Sequence, residues 1–227
     1  MRRLFYLGLL SAFACAQNAE DAMELLQRAQ SVGETTANWR AEVVSMSEIA
    51  GGGINLKSTV RTRIAAEASL KMSRQNSGND KTVMVCDGSE YLYSGDGHSY
   101  YRGDAKVNPT CDYSLSKFYN LDYGLDKNPA TATFVGRDHV RLADDDHQCV
   151  LVRAEWDRAT TKSVHTLCID SVSAVILRDV QEAEESRTGM RIVRTTVFTS
   201  FEPNPKLRPN TFAFSIPAGA IEGKPPR

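Results

Sequence analysis

The stretch from Val83 to Arg102, VMVCDGSEYLYSGDGHSYYR, places the tightest constraint on what this chain can fold into. It sets short apolar, β-rich runs, ending in Val85, Tyr93 and Tyr101, around two Asp-Gly steps, Asp87-Gly88 and Asp96-Gly97. Asp-Gly pairs supply the positive φ angles of two-residue hairpin turns, so the stretch predicts a tight antiparallel meander. From Ile54 to Ala65 the same order extends as alternation: Ile54, Leu56, Val60 and Ile64 point one way, and Asn55, Lys57, Thr59, Arg61 and Arg63 the other. Leu70 and Met72 against Lys71 and Ser73 continue it. Long two-sided strands in neighbouring order specify an antiparallel sheet with one dry and one solvated face.

The rest of the chain fits around that sheet. Ala22, Leu25, Leu26, Ala29 and Val32 recur at helical spacing, which predicts an amphipathic helix over Glu20 to Val32, stopped by Gly33 and packed on the sheet. Trp39 to Ile49 begins the strands, with Gly51-Gly52-Gly53 as a wide first turn. Ala105 to Ala130 breaks the β pattern with Pro109, Cys111 and Pro129, and predicts a loop-helix insert with a short helix around Ser114 to Tyr119. Strands resume near Thr131, turn at Asp144 to Asp146, at Asp157 to Thr160 and at Glu182 to Gly189, and finish with a short strand, Phe212 to Ser215, and a frayed tail. No linker or repeat divides the chain, so residues 17–227 form a single mainly β, α+β domain.

Charge and targeting narrow the function. With 27 basic and 28 acidic residues, and no run of Lys or Arg after Arg2-Arg3, the chain lacks the electrostatic footprint of a nucleic-acid binder. Arg2-Arg3, the apolar run Leu4 to Leu10 and the small residues ending in Ala14-Cys15-Ala16 read as a signal peptide, residues 1–16. Ala12-Phe13-Ala14-Cys15 is also a poor lipobox; lipidation at Cys15 would anchor the protein to a membrane rather than leave it free. No later segment approaches the roughly 20 apolar residues of a membrane-spanning helix.

Export leaves Cys86, Cys111, Cys149 and Cys168, an even number in an oxidising compartment, which makes disulfides the default. If the hairpin turn is centred between Arg158 and Ala159, Glu155 faces Lys162, Arg153 faces Val164, and Cys149 faces Cys168. Cys86 with Cys111 then follows by elimination, one of three connectivities. No catalytic constellation appears. His98, His139, His147 and His165 stand outside any nucleophile or metal frame, and Asp144-Asp145-Asp146-His147 reads as a solvated turn rather than a calcium loop. A non-enzymatic chain without metal or cofactor is expected.

The apolar stripe is the candidate site. Trp39, Ala41, Val43, Leu56, Val60, Ile64, Leu70, Met72, Val83 and Val85 are expected to line one face of the first half of the sheet. They form either an ordinary core under the helix and insert or, where so little cover leaves a wide sheet open, a face for an apolar ligand.

An amphipathic helix, long alternating strands, the Asp87-Gly88 turn before Tyr91 and Tyr93, the return strand ending Leu167-Cys168-Ile169-Asp170, and the closing Phe212 to Ala220 together resemble the LolA-like periplasmic lipoprotein carriers and their LolB-like and RseB-like relatives. Tyr91 and Cys168 stand where that pattern often has Trp. The resemblance implies a strongly curved, unclosed β-barrel whose concave apolar face, lidded by helices, holds acyl chains of a lipid or lipoprotein. It implies a monomeric periplasmic binding protein, with an envelope membrane protein as a further partner. The alternative it carries is an RseB-like sensor or interaction module.

Overall fold

The computed structural model describes residues 21–78, 81–125, 129–158, 161–185, 188–216 and 218–223. The expected signal peptide with Cys15, and Ala159 of the expected hairpin centre, lie outside the described residues. Two meanders build one sheet. The first comprises β1 (Trp39–Gly51), β2 (Ile54–Glu67), β3 (Lys71–Ser77), β4 (Val83–Asp87), β5 (Glu90–Ser94) and β6 (Ser99–Asp104); the second comprises β7 (Thr131–Leu142), β8 (Asp145–Arg158), β9 (Thr161–Asp170), β10 (Ile176–Glu185) and β11 (Met190–Pro203). β11 returns to pair antiparallel with β1, and a last pair of residues, β12 (Ile221–Glu222), lies parallel beside β6. The spatial order is therefore β12-β6-β5-β4-β3-β2-β1-β11-β10-β9-β8-β7, with β12 and β7 as unjoined edges. The sheet curls: the Ala143 amide, in the β7–β8 turn, donates to the Thr199 carbonyl of β11 at 2.8 Å, although β9 and β10 lie between those strands. This is an open half-barrel of the α+β class.

Turn chemistry sets the registers. Gly52 and Gly53, with φ of +57° and +81°, close β1 onto β2 as a two-residue turn between paired Gly51 and Ile54, tighter than the expected wide turn. The two Asp-Gly steps do turn the meander, but through the Asp side chains. The Asp87 carboxylate accepts from the Glu90 and Ser89 amides, each at 2.8 Å, and the Asp96 carboxylate accepts likewise from Ser99 and His98. These amide donors hold both carboxyls below the usual carboxylate range. The loops are accordingly longer than two residues, with Cys86–Tyr91 and Tyr93–Tyr101 as the ladder pairs nearest them.

Both disulfides form as expected, Cys149–Cys168 with Cα atoms 5.2 Å apart and Cys86–Cys111 with 5.6 Å. The register that suggested the first is nevertheless shifted. Arg158 pairs with Thr161, so Cys149 faces Asp170, Cys168 faces Leu151, and the bond runs diagonally across the ladder. Lys162 also meets Glu155 diagonally, at 3.2 Å. Diagonal neighbours are within reach of a long side chain, so a charge pair does not distinguish opposite from diagonal positions.

Other boundaries move for packing reasons. Helix α1, residues 21–35, runs past Gly33. A Cβ at Gly33 would meet the Tyr119 ring at 3.0 Å and the Ser116 amide nitrogen at 3.1 Å, so this glycine admits the insert rather than ending the helix. Phe212 belongs to a 3-10 turn, Pro209–Phe212, in place of the expected last strand. With Leu207 and Phe214 it packs on Ala65, Val83 and Val85. The tail beyond it is pinned to β6 through the Ile221 amide on the His98 carbonyl, 3.0 Å, and the Gly223 amide on the Tyr100 carbonyl, 2.8 Å.

The insert leads from β6, next to the short edge strand β12, to β7 at the opposite edge, and so must cross one face. It contains helix α2 (Leu115–Phe118), which continues directly into a π-helical turn, Tyr119–Tyr123. Together with α1 it covers the same face, where Ala22, Leu26 and Ala29 join Trp39, Leu115, Phe118 and Phe198 in one core.

Candidate functional site

Register decides which predicted residues share the covered face. Trp39, Ala41, Val43, Ser45 and Ile49 of β1 pair with Ala66, Ile64, Thr62, Val60 and Leu56 of β2, and Ala66 pairs with Met72, which pairs with Cys86. Trp39, Val43, Ile64 and Met72 are therefore together on that face, fully closed beneath α1 and the insert. Val60 lies farther along it and is half-buried; Leu56, 59% exposed, and Ile54, 47% exposed, continue it beyond the lid. Leu70 sits in the β2–β3 loop at φ +63°, partly buried against the same core. Val83 and Val85 do not belong to the stripe. Cys86 and Met84 take the covered side of β4, which turns Val83 and Val85 to the reverse side under Phe212.

The lid end of the face is filled by the protein's own aromatic rings. Trp39 donates its indole N–H to the Tyr113 carbonyl at 3.0 Å. The Phe118 ring centre lies 5.5 Å from that of Trp39, 5.2 Å from Phe198 and 5.0 Å from Tyr123. Tyr119 accepts the Ile176 amide at 3.0 Å, fixing the insert to the start of β10, and burial holds its hydroxyl neutral far above the usual tyrosine range. Arg74 of β3 grips the insert from the other half: its guanidinium donates to both oxygens of Asp122, at 2.7 and 3.1 Å, and to the Tyr113 hydroxyl at 2.9 Å, while that hydroxyl also donates to Asp122. Burial foremost, and the Asp122 charge after it, push the Tyr113 hydroxyl well up, so it stays a donor. The Cys86–Cys111 bond tethers the same insert covalently to β4.

Past the lid the face changes character. A row of cross-strand partners, Ser58, Ser47, Arg194, Gln181 and His165, crosses β2, β1, β11, β10 and β9, and the next row toward the hairpin tips, Leu56, Ile49, Ile192 and Ala183, is apolar. The covered face is thus graded: a closed aromatic core, a polar belt, and an apolar strip open on its β1–β2 side. Two buried polar groups that the sequence did not single out lie at the belt's inner end. His165 Nδ1 is 3.0 and 3.1 Å from the two carboxylate oxygens of Asp179, and both side chains are closed to solvent. Strand parity places His165 with Leu167, inward, and that signal was available. Its partner on the next strand was not.

The reverse face carries a polar groove of about 460 Å³ between the sheet and the C-terminal crossing, lined among others by Arg40, Glu42, Arg63, Ser73, Gln75 and Thr211. Its arginines are already paired, Arg40 with Glu202 and Arg63 with Glu42. Elsewhere, His147 Nδ1 lies 3.0 Å from Asp170, whose other oxygen accepts the Ser173 and Val172 amides of the β9–β10 turn. Among the described residues no group of three or more His, Cys, Asp or Glu side chains is arranged to hold a metal ion, and no helix is long and apolar enough to cross a membrane.

No family model and no curated protein matches the sequence. Among solved structures the chain is similar to LprF from Mycobacterium bovis, with a TM-score of 0.50 and 13% identity, covering 90% of this chain and 99% of that one. It is also similar to the Pseudomonas aeruginosa MucA/MucB complex structure (TM-score 0.47, 13% identity, 86% of this chain) and to a LolA superfamily protein from Nitrosomonas europaea (TM-score 0.37, 11% identity, 85% and 97% of the two chains). The chain spans about three-fifths of the matched MucA/MucB chain, 61% of its length. The fold is LolA-like.

Proposed function

We propose that this LolA-like chain is a non-catalytic carrier in the cell envelope, which shields acyl chains of a lipid or lipoprotein on its helix-covered face. One observation carries the reading: the face is wider than its lid. α1 and the insert close over Trp39, Val43, Ile64 and Met72, while the same face continues through Val60 and Ile49 to exposed Leu56 and Ile54. An apolar chain enters from this strip, since aromatic rings fill the lid end. Burying each methylene is worth about 0.8 kcal/mol, so a long acyl chain gains on the order of 10 kcal/mol before ordering losses. No reaction is needed to hold it.

Leu56→Glu tests the site cleanly, because an exposed position tolerates the charge without unfolding the protein. Binding of a fluorescent acyl probe should weaken at least tenfold in the folded variant, a loss corresponding to about 1.4 kcal/mol. Unchanged affinity would place the ligand elsewhere. Export belongs to the same proposal. Intact-mass measurement on protein from the native envelope should return a chain beginning at Gln17, or one carrying lipid on Cys15; a chain that keeps Met1 there would refute it.

A further inference from the structure

Arg194 of β11 carries a charge that the covered face does not match. It stands two residues before buried Thr196 and four before buried Phe198, with no register shift between them on either ladder of β11, so it shares their side of the sheet. Ser47 of β1 and Gln181 of β10 are its direct cross-strand partners. All three side chains are half-buried, and direct opposition brings the Cβ atom of each neighbour within about 4.5–5.5 Å of that of Arg194. Arg74, on the same face, is clamped to Asp122 and Tyr113. Arg194, in contrast, makes no ion pair and no side-chain hydrogen bond among the described residues, and neither Ser47 nor Gln181 makes a side-chain hydrogen bond there. The carboxylate diagonal to it, Asp179, is committed to His165 through both oxygens, at 3.0 and 3.1 Å.

A guanidinium keeps its charge throughout the physiological range, and its planar fork of donors matches a carboxylate or phosphate through two parallel hydrogen bonds. Part-withdrawn from water, such a charge gains most from a partner of that kind. The neighbouring rows fix the side from which the partner comes. Toward the lid lie Ser45 and Thr196, bonded to each other at 3.2 Å. Toward the hairpin tips, two residues along each strand and so about 7 Å away, lies the apolar row Leu56, Ile49, Ile192 and Ala183. We infer that Arg194, flanked by Ser47 and Gln181, is the head-group anchor for the ligand of the covered face, an anionic amphiphile. Its acyl chain lies on the open strip while its carboxylate or phosphate pairs with the guanidinium. The inference rests on the carrier reading and adds the head-group charge that the carrier selects.

The test uses the full chain and four ligands with a twelve-carbon chain, each below its micelle concentration, displacing a neutral fluorescent acyl probe: laurate, dodecyl phosphate, dodecanol and dodecyltrimethylammonium. On the wild-type protein laurate or dodecyl phosphate should compete about tenfold better than dodecanol, the worth of a hydrogen bond to a charged group, and the ammonium should compete worst. Whichever anion leads identifies the head group as carboxylate or phosphate. Arg194→Gln removes the charge and should bring the anion-to-alcohol ratio close to one, while Arg194→Lys keeps a preference for anions. Arg194 also lies within electrostatic reach of Asp179, but a counter-ion to that group alone would not sort ligands by head-group charge. The Arg194 Nε resonance of the wild-type protein should shift with the preferred anion and not with dodecanol, a readout that needs no variant to fold. Equal competition by anions and alcohol, or a ratio that survives Arg194→Gln, overturns the anchor while leaving the carrier intact. Failure of all four to compete overturns both.

Discussion

Phe118→Ala should lower the unfolding free energy by about 3–5 kcal/mol, the range for truncating a fully buried phenylalanine. The ring is closed to solvent and stands where the insert meets both halves of the sheet: Trp39 of β1 and Phe198 of β11 on one side, Tyr123 on the other. Its contacts with Trp39 and Tyr123 are edge-on, an arrangement worth roughly 0.5–1.5 kcal/mol per pair beyond the area buried. Alanine leaves a cavity that Trp39 cannot fill, because its indole N–H is held by the Tyr113 carbonyl. Urea unfolding of the oxidised protein measures the loss. A decrease below about 1 kcal/mol would mean that the insert packs on the sheet far less firmly than this geometry requires.

The second large effect concerns the bridges. Replacing Cys86 and Cys111 together with alanine should cost about 2–5 kcal/mol, and so should replacing Cys149 and Cys168, since the closed loops are similar, with separations of 25 and 19 residues. Their local consequences differ. Cys149 and Cys168 lie on β8 and β9, which the ladder already joins from Cys149–Asp170 to Arg158–Thr161. Cys111 lies in the insert, and without its bond the insert is held to β3 and β4 by the Arg74–Asp122–Tyr113 cluster and by packing. Limited proteolysis should therefore cut the Cys86/Cys111 variant within 105–125 well before its global unfolding, while the Cys149/Cys168 variant stays resistant there. Equal protection of that segment in both variants would show that the bridge is not what restrains the insert.

The parts of this fold that could be read from sequence are those where one side of a strand is wet. β2 announces its faces because Lys57, Arg61 and Arg63 alternate with Leu56, Val60 and Ile64, and the structure keeps that parity. β4 offers no such contrast. Val-Met-Val-Cys is apolar at every position because the insert covers Met84 and Cys86 while the C-terminal crossing covers Val83 and Val85, so alternation gives no parity to read. Gly33 has the same ambiguity at a helix end: a glycine that stops a helix and one that admits a crossing segment look alike until the crossing segment is seen. The buried His165–Asp179 pair was hidden for a third reason. His165 and Asp179 are 14 residues apart on neighbouring strands, and only their register, with Gln181 opposite His165, brings the two side chains together.

The insert also has a mechanical meaning. It runs between the two ends of a curved sheet as a bowstring runs between the tips of a bow, and flattening the sheet draws it taut. Cys111 knots that string to β4 near one tip, leaving a short segment from β6 to the knot and a much longer one from the knot to β7. The longer segment is itself tied to both limbs, to β3 by the Arg74 clamp and to the start of β10 through Tyr119 and Ile176, so the string is pegged along its length as well as knotted.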